Sequence, residues 1–201
     1  PTYDGTEEEP IVLPAGFLGR TFSKSFPELS LPTRLQDWTD TDRVNVLARA
    51  GHDFTGDLIV GLESLDRWLA SDPVAVTIDA FPELARAAAL GAAGSSAGGE
   101  QPKFTAFVEG RHVLVKFTDP DDAPSTRRWR DLLVCEALAL ETIADAGIPA
   151  ARARLVDVGA RRYLEVERFD RVGARGRLGV STLEPLEGEY SGQRGGWAEA
   201  A

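Results

Sequence analysis

Glu136 restricts the folding of this chain more than any other residue. In the run from Ser125 to Ala146, Trp129, Leu132 and Leu133 lie seven, four and three positions before it, and Leu140 and Ile143 four and seven after. At about 100° per residue, a helix here places the carboxylate in the middle of an apolar arc. Burying it there costs several kcal/mol unless a cationic or hydrogen-bonding partner meets it. Lys116 has the mirror problem, as an ammonium inside the apolar run Val113-Leu114-Val115-Lys116-Phe117. Two outcomes satisfy both residues. Either the fold brings them together, or the helix turns so that Glu136 reaches water.

The flanking segments give these residues elements to stand on. Lys103–Val108 and Arg111–Phe117 are apolar runs separated by Glu109-Gly110, which predicts a β-hairpin. Ser125 or Thr126 is the expected cap of a helix that ends at Ala146, before Gly147 and Pro149. A second hairpin is expected from Ala153–Val158 and Arg162–Arg168 around Gly159-Ala160. Directly before the first hairpin lies Gly91–Gly99, rich in Gly, Ala and Ser. Composition alone reads that run as a linker, but a linker has no need to feed straight into a strand. Upstream, a short helix is expected from Thr39 or Thr41 with a stripe of Val44, Leu47 and Ala48. A strand is expected over Asp57–Leu62, and an Ala-rich helix over Pro82–Leu90. The fold class expected is α+β, with an antiparallel sheet of about five strands against one long helix.

Charge and composition narrow the function. The formal net charge of −10 works against gripping phosphate backbones, so direct nucleic-acid binding is not expected. The longest charge-free stretch, Ala87 to Gly99, is too short to span a bilayer. One cysteine, Cys135, fits a reducing cytoplasm and is read as a small core residue. His52 and His112 beside one cysteine make no zinc site of usual ligand count, and none of the three is given a role. The chain opens at Pro1 without a signal-peptide pattern, and a partial or processed chain is expected.

A Gly-rich loop, a strand lysine and a glutamate on the following helix, in that order, are the parts of a kinase amino-terminal lobe. The segment Ser95-Ser96-Ala97-Gly98-Gly99-Glu100-Gln101-Pro102-Lys103 resembles the phosphate-loop signature of the HipA family of bacterial toxin kinases, most closely its YjjJ-type members. Gly56-Asp57-Leu58-Ile59-Val60-Gly61, His112–Lys116, Cys135-Glu136 with Gly147-Ile148-Pro149, and Glu167-Arg168-Phe169-Asp170-Arg171 are similar too, and follow the family order. The resemblance covers roughly residues 55–171.

It implies a HipA-like subdomain over 1–90, a nucleotide-binding kinase-like lobe over 91–171, and a Gly-rich tail over 172–201 that begins a missing carboxy-terminal lobe. It implies ATP and Mg²⁺, γ-phosphoryl transfer to a protein Ser or Thr, and a HipB-like antitoxin as partner. Ala97, Gly98, Gly99, Gln101, Lys103 and Lys116 would hold ATP phosphates, with Glu136 positioning Lys116. Lys103 reads equally well as a strand-end lysine in solvent. Glu167 and Phe169 would form the hinge that reads the base. Ser95 or Ser96 matches the loop serine that family members phosphorylate on themselves; one extra residue between Gly98 and Gln101 leaves the two open. Asp170 matches no catalytic position, and the only asparagine in the chain is Asn45. Catalytic-loop and metal-binding residues are therefore expected to be absent, and the 201 residues alone are not expected to phosphorylate protein. The rival reading is a non-catalytic nucleotide- or antitoxin-binding module. A nucleotide-binding protein of another fold is weakened by the lack of Gly-x-Gly-x-x-Gly and of a Gly-Lys-Ser/Thr ending.

Overall fold

A computed structural model describes residues 26–32, 34, 37–89 and 101–180. Among these, the first compact unit is helical. Helix α1 (Asp40–Ala50) begins at a capping box: the Thr39 hydroxyl accepts the Asp42 N–H, and the Asp42 carboxylate accepts the Thr39 N–H at 2.8 Å. Its buried face is Val46, Leu47 and Ala50, which pack with Leu31, Trp38 and Phe54. The stripe expected from Val44, Leu47 and Ala48 is thus rotated, with Val44 half exposed.

The strand expected over Asp57–Leu62 does not form. Leu58 and Leu62 are both exposed, so this run has no face to bury as a strand. Gly61 takes a left-handed φ of +79° and starts helix α2 (Leu62–Ala70). Its backbone lies so close to α1 that a Cβ would stand 2.9 Å from the Ala48 Cβ. Ser64 on α2 is fully buried; it accepts the Gly51 N–H at 2.9 Å and donates to the Leu47 carbonyl at 2.7 Å.

The second unit is a four-stranded antiparallel sheet between two helices. The strands are β1 (Lys103–Val108), β2 (Arg111–Phe117), β3 (Ala153–Val158) and β4 (Arg161–Glu167), in the order β1-β2-β4-β3. The β1–β2 turn is the one its sequence demands, since Glu109 and Gly110 both have positive φ, at 51° and 79°. Helix α3 (Phe81–Ala89), preceded by a tight turn at Ile78–Ala80, covers one face. There Phe81, Ala85 and Ala88 meet Phe104, Val113, Val115, Phe117 and Tyr163. Phe81 stacks edge-on to Phe104 at 5.4 Å, and burial of a ring this complete stabilises by about 1.5–3 kcal/mol.

Helix α4 (Pro124–Asp145) covers the opposite face over β3 and β4, with Leu133 and Leu164 fully buried. Neither Ser125 nor Thr126 caps it. Pro124 takes the first helical position, where its missing N–H costs nothing, and Ala123 is the cap residue. Asp121 accepts the Ala123 N–H and the Thr126 hydroxyl instead. The separate pair β5 (Arg171–Val172) and β6 (Gly176–Arg177) follows, so four sheet strands and a small ribbon stand where about five strands were expected.

Candidate functional site

Alternation along the strands puts Lys103, Thr105 and Phe107 of β1 on one face with His112, Leu114 and Lys116 of β2, since Lys103 pairs with Lys116 and Thr105 with Leu114. That is the α4 face. Glu136 reaches Lys116 there: the Lys116 Nζ donates to both carboxylate oxygens, at 2.6 and 2.7 Å. The pair is partly screened, with side chains 21% and 34% exposed. Glu136 is not at the centre of a buried arc. The sheet covers the part of α4 around Leu133, and Trp129, Leu132 and Ile143 remain 41–43% exposed. Cys135 is exposed on the same helix rather than in the core.

Lys103 is 3% exposed, which corrects the reading of a strand-end lysine in solvent. Lys103 and Lys116 thus stand opposite each other across the ladder, with Glu136 beside Lys116. Gln101, two residues before β1, has its Nε2 buried without a hydrogen-bond partner. A buried amide donor left unmet two residues before Lys103 suits a hydrogen-bond acceptor such as a phosphate oxygen. Ser95, Ser96, Ala97, Gly98 and Gly99 lie outside the described residues. Glu167 ends β4 beside Val113, and its N–H donates to the Arg152 carbonyl at 2.8 Å. Phe169 is 68% exposed. Among the described residues no group of three or more His, Cys, Asp or Glu side chains is placed to hold a metal ion.

A second cluster, which no motif pointed to, gathers around Arg168, Asp170 and Arg171. Asp53 Oδ1 accepts from Arg168 at 2.7 Å and from Arg171 at 3.1 Å, while Oδ2 accepts the Thr105 hydroxyl at 3.0 Å. Asp170, 3% exposed, accepts from Arg168, from Arg171, and from the Gly56 N–H at 3.0 Å. Arg177 donates to the carbonyls of His52, Phe54 and Gly56 at 2.6–2.9 Å. Burial pushes the Asp53 and Asp170 carboxyls up, and the neighbouring guanidinium groups more than reverse it, leaving both below the usual carboxylate range. Burial and the nearby Arg171 lower Arg177 to about 10. The charged spacing Arg168-x-Asp170-Arg171 was the one signal available; nothing local marked Asp53.

Beside this cluster a cavity of about 290 Å³ opens between His52, Trp68, Phe107, His112 and Arg175. The Arg175 guanidinium lies 4.6 Å over the Trp68 ring and pairs with Asp72 at 2.6 Å. The His112 Nε2 is 2.8 Å from the Ala174 carbonyl.

An antiparallel sheet carrying a lysine that a glutamate from an overlying helix grips in a bidentate pair is the layout of a kinase-like lobe. Among known families, residues 95–194 match the HipA-like C-terminal domain, and residues 11–69 match the middle domain of YjjJ-like toxins. The chain belongs to the HipA family, in its YjjJ-type branch. It is 36% identical over 199 aligned residues to Toxin YjjJ of Escherichia coli (strain K12), an alignment covering 93% of this chain. The chain spans 45% of the length of that curated relative. No solved structure matches it.

Proposed function

We propose that this chain supplies the ATP-binding lobe of a HipA-type protein serine/threonine kinase acting as a toxin. The observation that carries the reading is the bidentate Lys116–Glu136 pair, at the sheet end where Lys103 stands opposite Lys116. Glu136 fixes the ammonium so that its remaining hydrogen aims at phosphate oxygens. Gln101 Nε2 and the backbone N–H groups of Ala97, Gly98 and Gly99 would complete the phosphate cradle, as loop nests do. Lys103 adds positive charge alongside. Glu167 and Phe169 would meet the base at the opposite end of β2.

In the whole protein, the γ-phosphorus–oxygen bond of ATP breaks as the hydroxyl oxygen of a protein Ser or Thr takes the phosphoryl group, releasing ADP and the hydroxyl proton. Ser95 or Ser96 would be the site of self-modification, and a HipB-like antitoxin the partner. Mg²⁺ would accompany the ATP phosphates. The second reading, a non-catalytic nucleotide- or antitoxin-binding module, shares the nucleotide site and differs only in lacking phosphoryl transfer.

Calorimetric titration of the chain with ATP tests the shared part of both readings. Micromolar to millimolar binding, weakened at least tenfold in Lys116→Ala, is the expected result; no binding, or binding indifferent to that substitution, overturns it. Transfer of labelled γ-phosphate to protein then separates kinase from module.

A further inference from the structure

We propose that Asp53 is a positioning residue for the nucleotide groove, a strut that holds β1 and the segment past the hinge at a fixed separation. The inference rests on the ATP-binding reading above. β2 runs between β1 and β4, so a nucleotide stretched from Lys116 to the backbone at Glu167, whose side chain shares the opposite face with Val113, crosses the Lys116 face of β2. That path is three residues along the strand and one strand across, roughly 11 Å. Thr105 of β1 stands on one side of it, and Arg168, which follows Glu167, on the other. The backbone N–H of Arg168 donates to the His112 carbonyl at 2.9 Å, so this second wall is tied to β2 itself.

Asp53 spans the two walls with one oxygen each. Oδ2 accepts from Thr105 at 3.0 Å, and Oδ1 from Arg168 and Arg171 at 2.7 and 3.1 Å. The 52–56 backbone that carries this carboxylate is held by Arg177 through three carbonyls and by Asp170 through the Gly56 N–H.

A latch that merely fastens the helical unit to the sheet would not need Asp53. Asp170 already binds Arg168, Arg171 and the Gly56 N–H, which makes that attachment by itself. Asp53 adds a bond to β1, through the Thr105 hydroxyl. Its charge, buried and paired with guanidinium groups on one side, is thereby used to hold a neutral strand hydroxyl on the other.

Thr105→Val removes the hydroxyl with little change of shape and leaves the ion pairs intact. ATP and adenosine are titrated separately into the full chain, with thermal unfolding recorded alongside. Thr105→Val is expected to weaken both ligands about fivefold, the effect of one lost hydrogen bond that fixes a binding wall. Its melting temperature should stay close to wild type, and Thr105→Ser should restore affinity. Asp53→Asn should weaken both ligands too, and the double variant should be no weaker than the worse single, because the two act through one contact. Lys116→Ala, by contrast, should weaken ATP and spare adenosine.

Unchanged affinities in Thr105→Val, while ATP binding remains dependent on Lys116, would overturn the strut and leave the nucleotide reading standing. So would fully additive losses in the double variant. If wild type binds neither ligand, the nucleotide reading fails and the strut falls with it.

Discussion

The Lys116 ammonium lies 2.6 and 2.7 Å from the two carboxylate oxygens of Glu136, yet neither side chain is deeply buried, at 21% and 34% exposed. Such a pair contributes little to stability, about 1 kcal/mol or less, because water screens both charges. Glu136→Gln should therefore shift the urea-unfolding free energy by no more than about 1 kcal/mol. ATP affinity should fall several-fold in the same variant, less than in Lys116→Ala. A large stability loss with unchanged ATP affinity would make the pair a structural one.

Asp170 should behave in the opposite way. It is 3% exposed and holds Arg168, Arg171 and the Gly56 N–H together. Asp170→Ala leaves two guanidinium groups sharing Asp53, and is expected to cost about 3–5 kcal/mol, the usual penalty for breaking a buried pair from one side. Denaturant titration checks it, with Asp122→Ala on the surface as the comparison that should be near neutral.

Two glycines with the same φ of +79° should respond differently to substitution by alanine. Gly110 faces open space, so Gly110→Ala meets only the left-handed backbone cost of about 1 kcal/mol. At Gly61 the new Cβ would also stand 2.9 Å from the Ala48 Cβ, and α1 or α2 must shift. Gly61→Ala should lower the melting temperature by clearly more than Gly110→Ala. Equal losses would show that the α1–α2 contact yields easily.

Stability should fall in two separate steps on acidification. Burial holds the His52 imidazole below its ordinary value, with Asp53 pulling it up and Arg67 and Arg177 pushing it down. The unfolded chain, with an ordinary histidine near about 6.5, takes up its proton first, so this contribution is complete above that pH and is lost below it. Asp53 and Asp170 are held below the usual range, so their contribution is complete above about 3.9 and vanishes only as pH falls through their folded values. Denaturation midpoints measured from pH 8 to pH 3 should show both steps, and His52→Gln should remove the upper one alone.

Both hairpins and the long helix were legible because their signals are local. Glu109-Gly110 needs positive φ at two adjacent positions, and the strands beside it are rich in Val and Phe. Lys116 and Glu136 were legible as a mismatch between charge and pattern. The helix α2 was not, because Asp57–Leu62 has a strand's composition but neither of its leucines finds a surface to cover. The arc on α4 was read as wider than the sheet beneath it, which is why Trp129 and Cys135 face outward. Asp53 was invisible: its partners Arg168 and Arg171 lie 115 and 118 positions away, and no periodicity connects residues at that distance.

Those same separations govern the order in which the molecule assembles. Each bond between the 52–56 turn and the Arg168–Arg177 stretch closes a loop of 114 to 125 residues. Loop closure of this length is unfavourable until the intervening hairpins and helices have condensed, so these bonds are expected to form after the rate-limiting barrier. Substitutions in the cluster are therefore expected to accelerate unfolding and leave the refolding rate nearly unchanged, whereas Phe104→Leu in the first hairpin should slow refolding. The lifetime of the folded chain is set by its latest-made contacts, and the speed of its formation by its earliest.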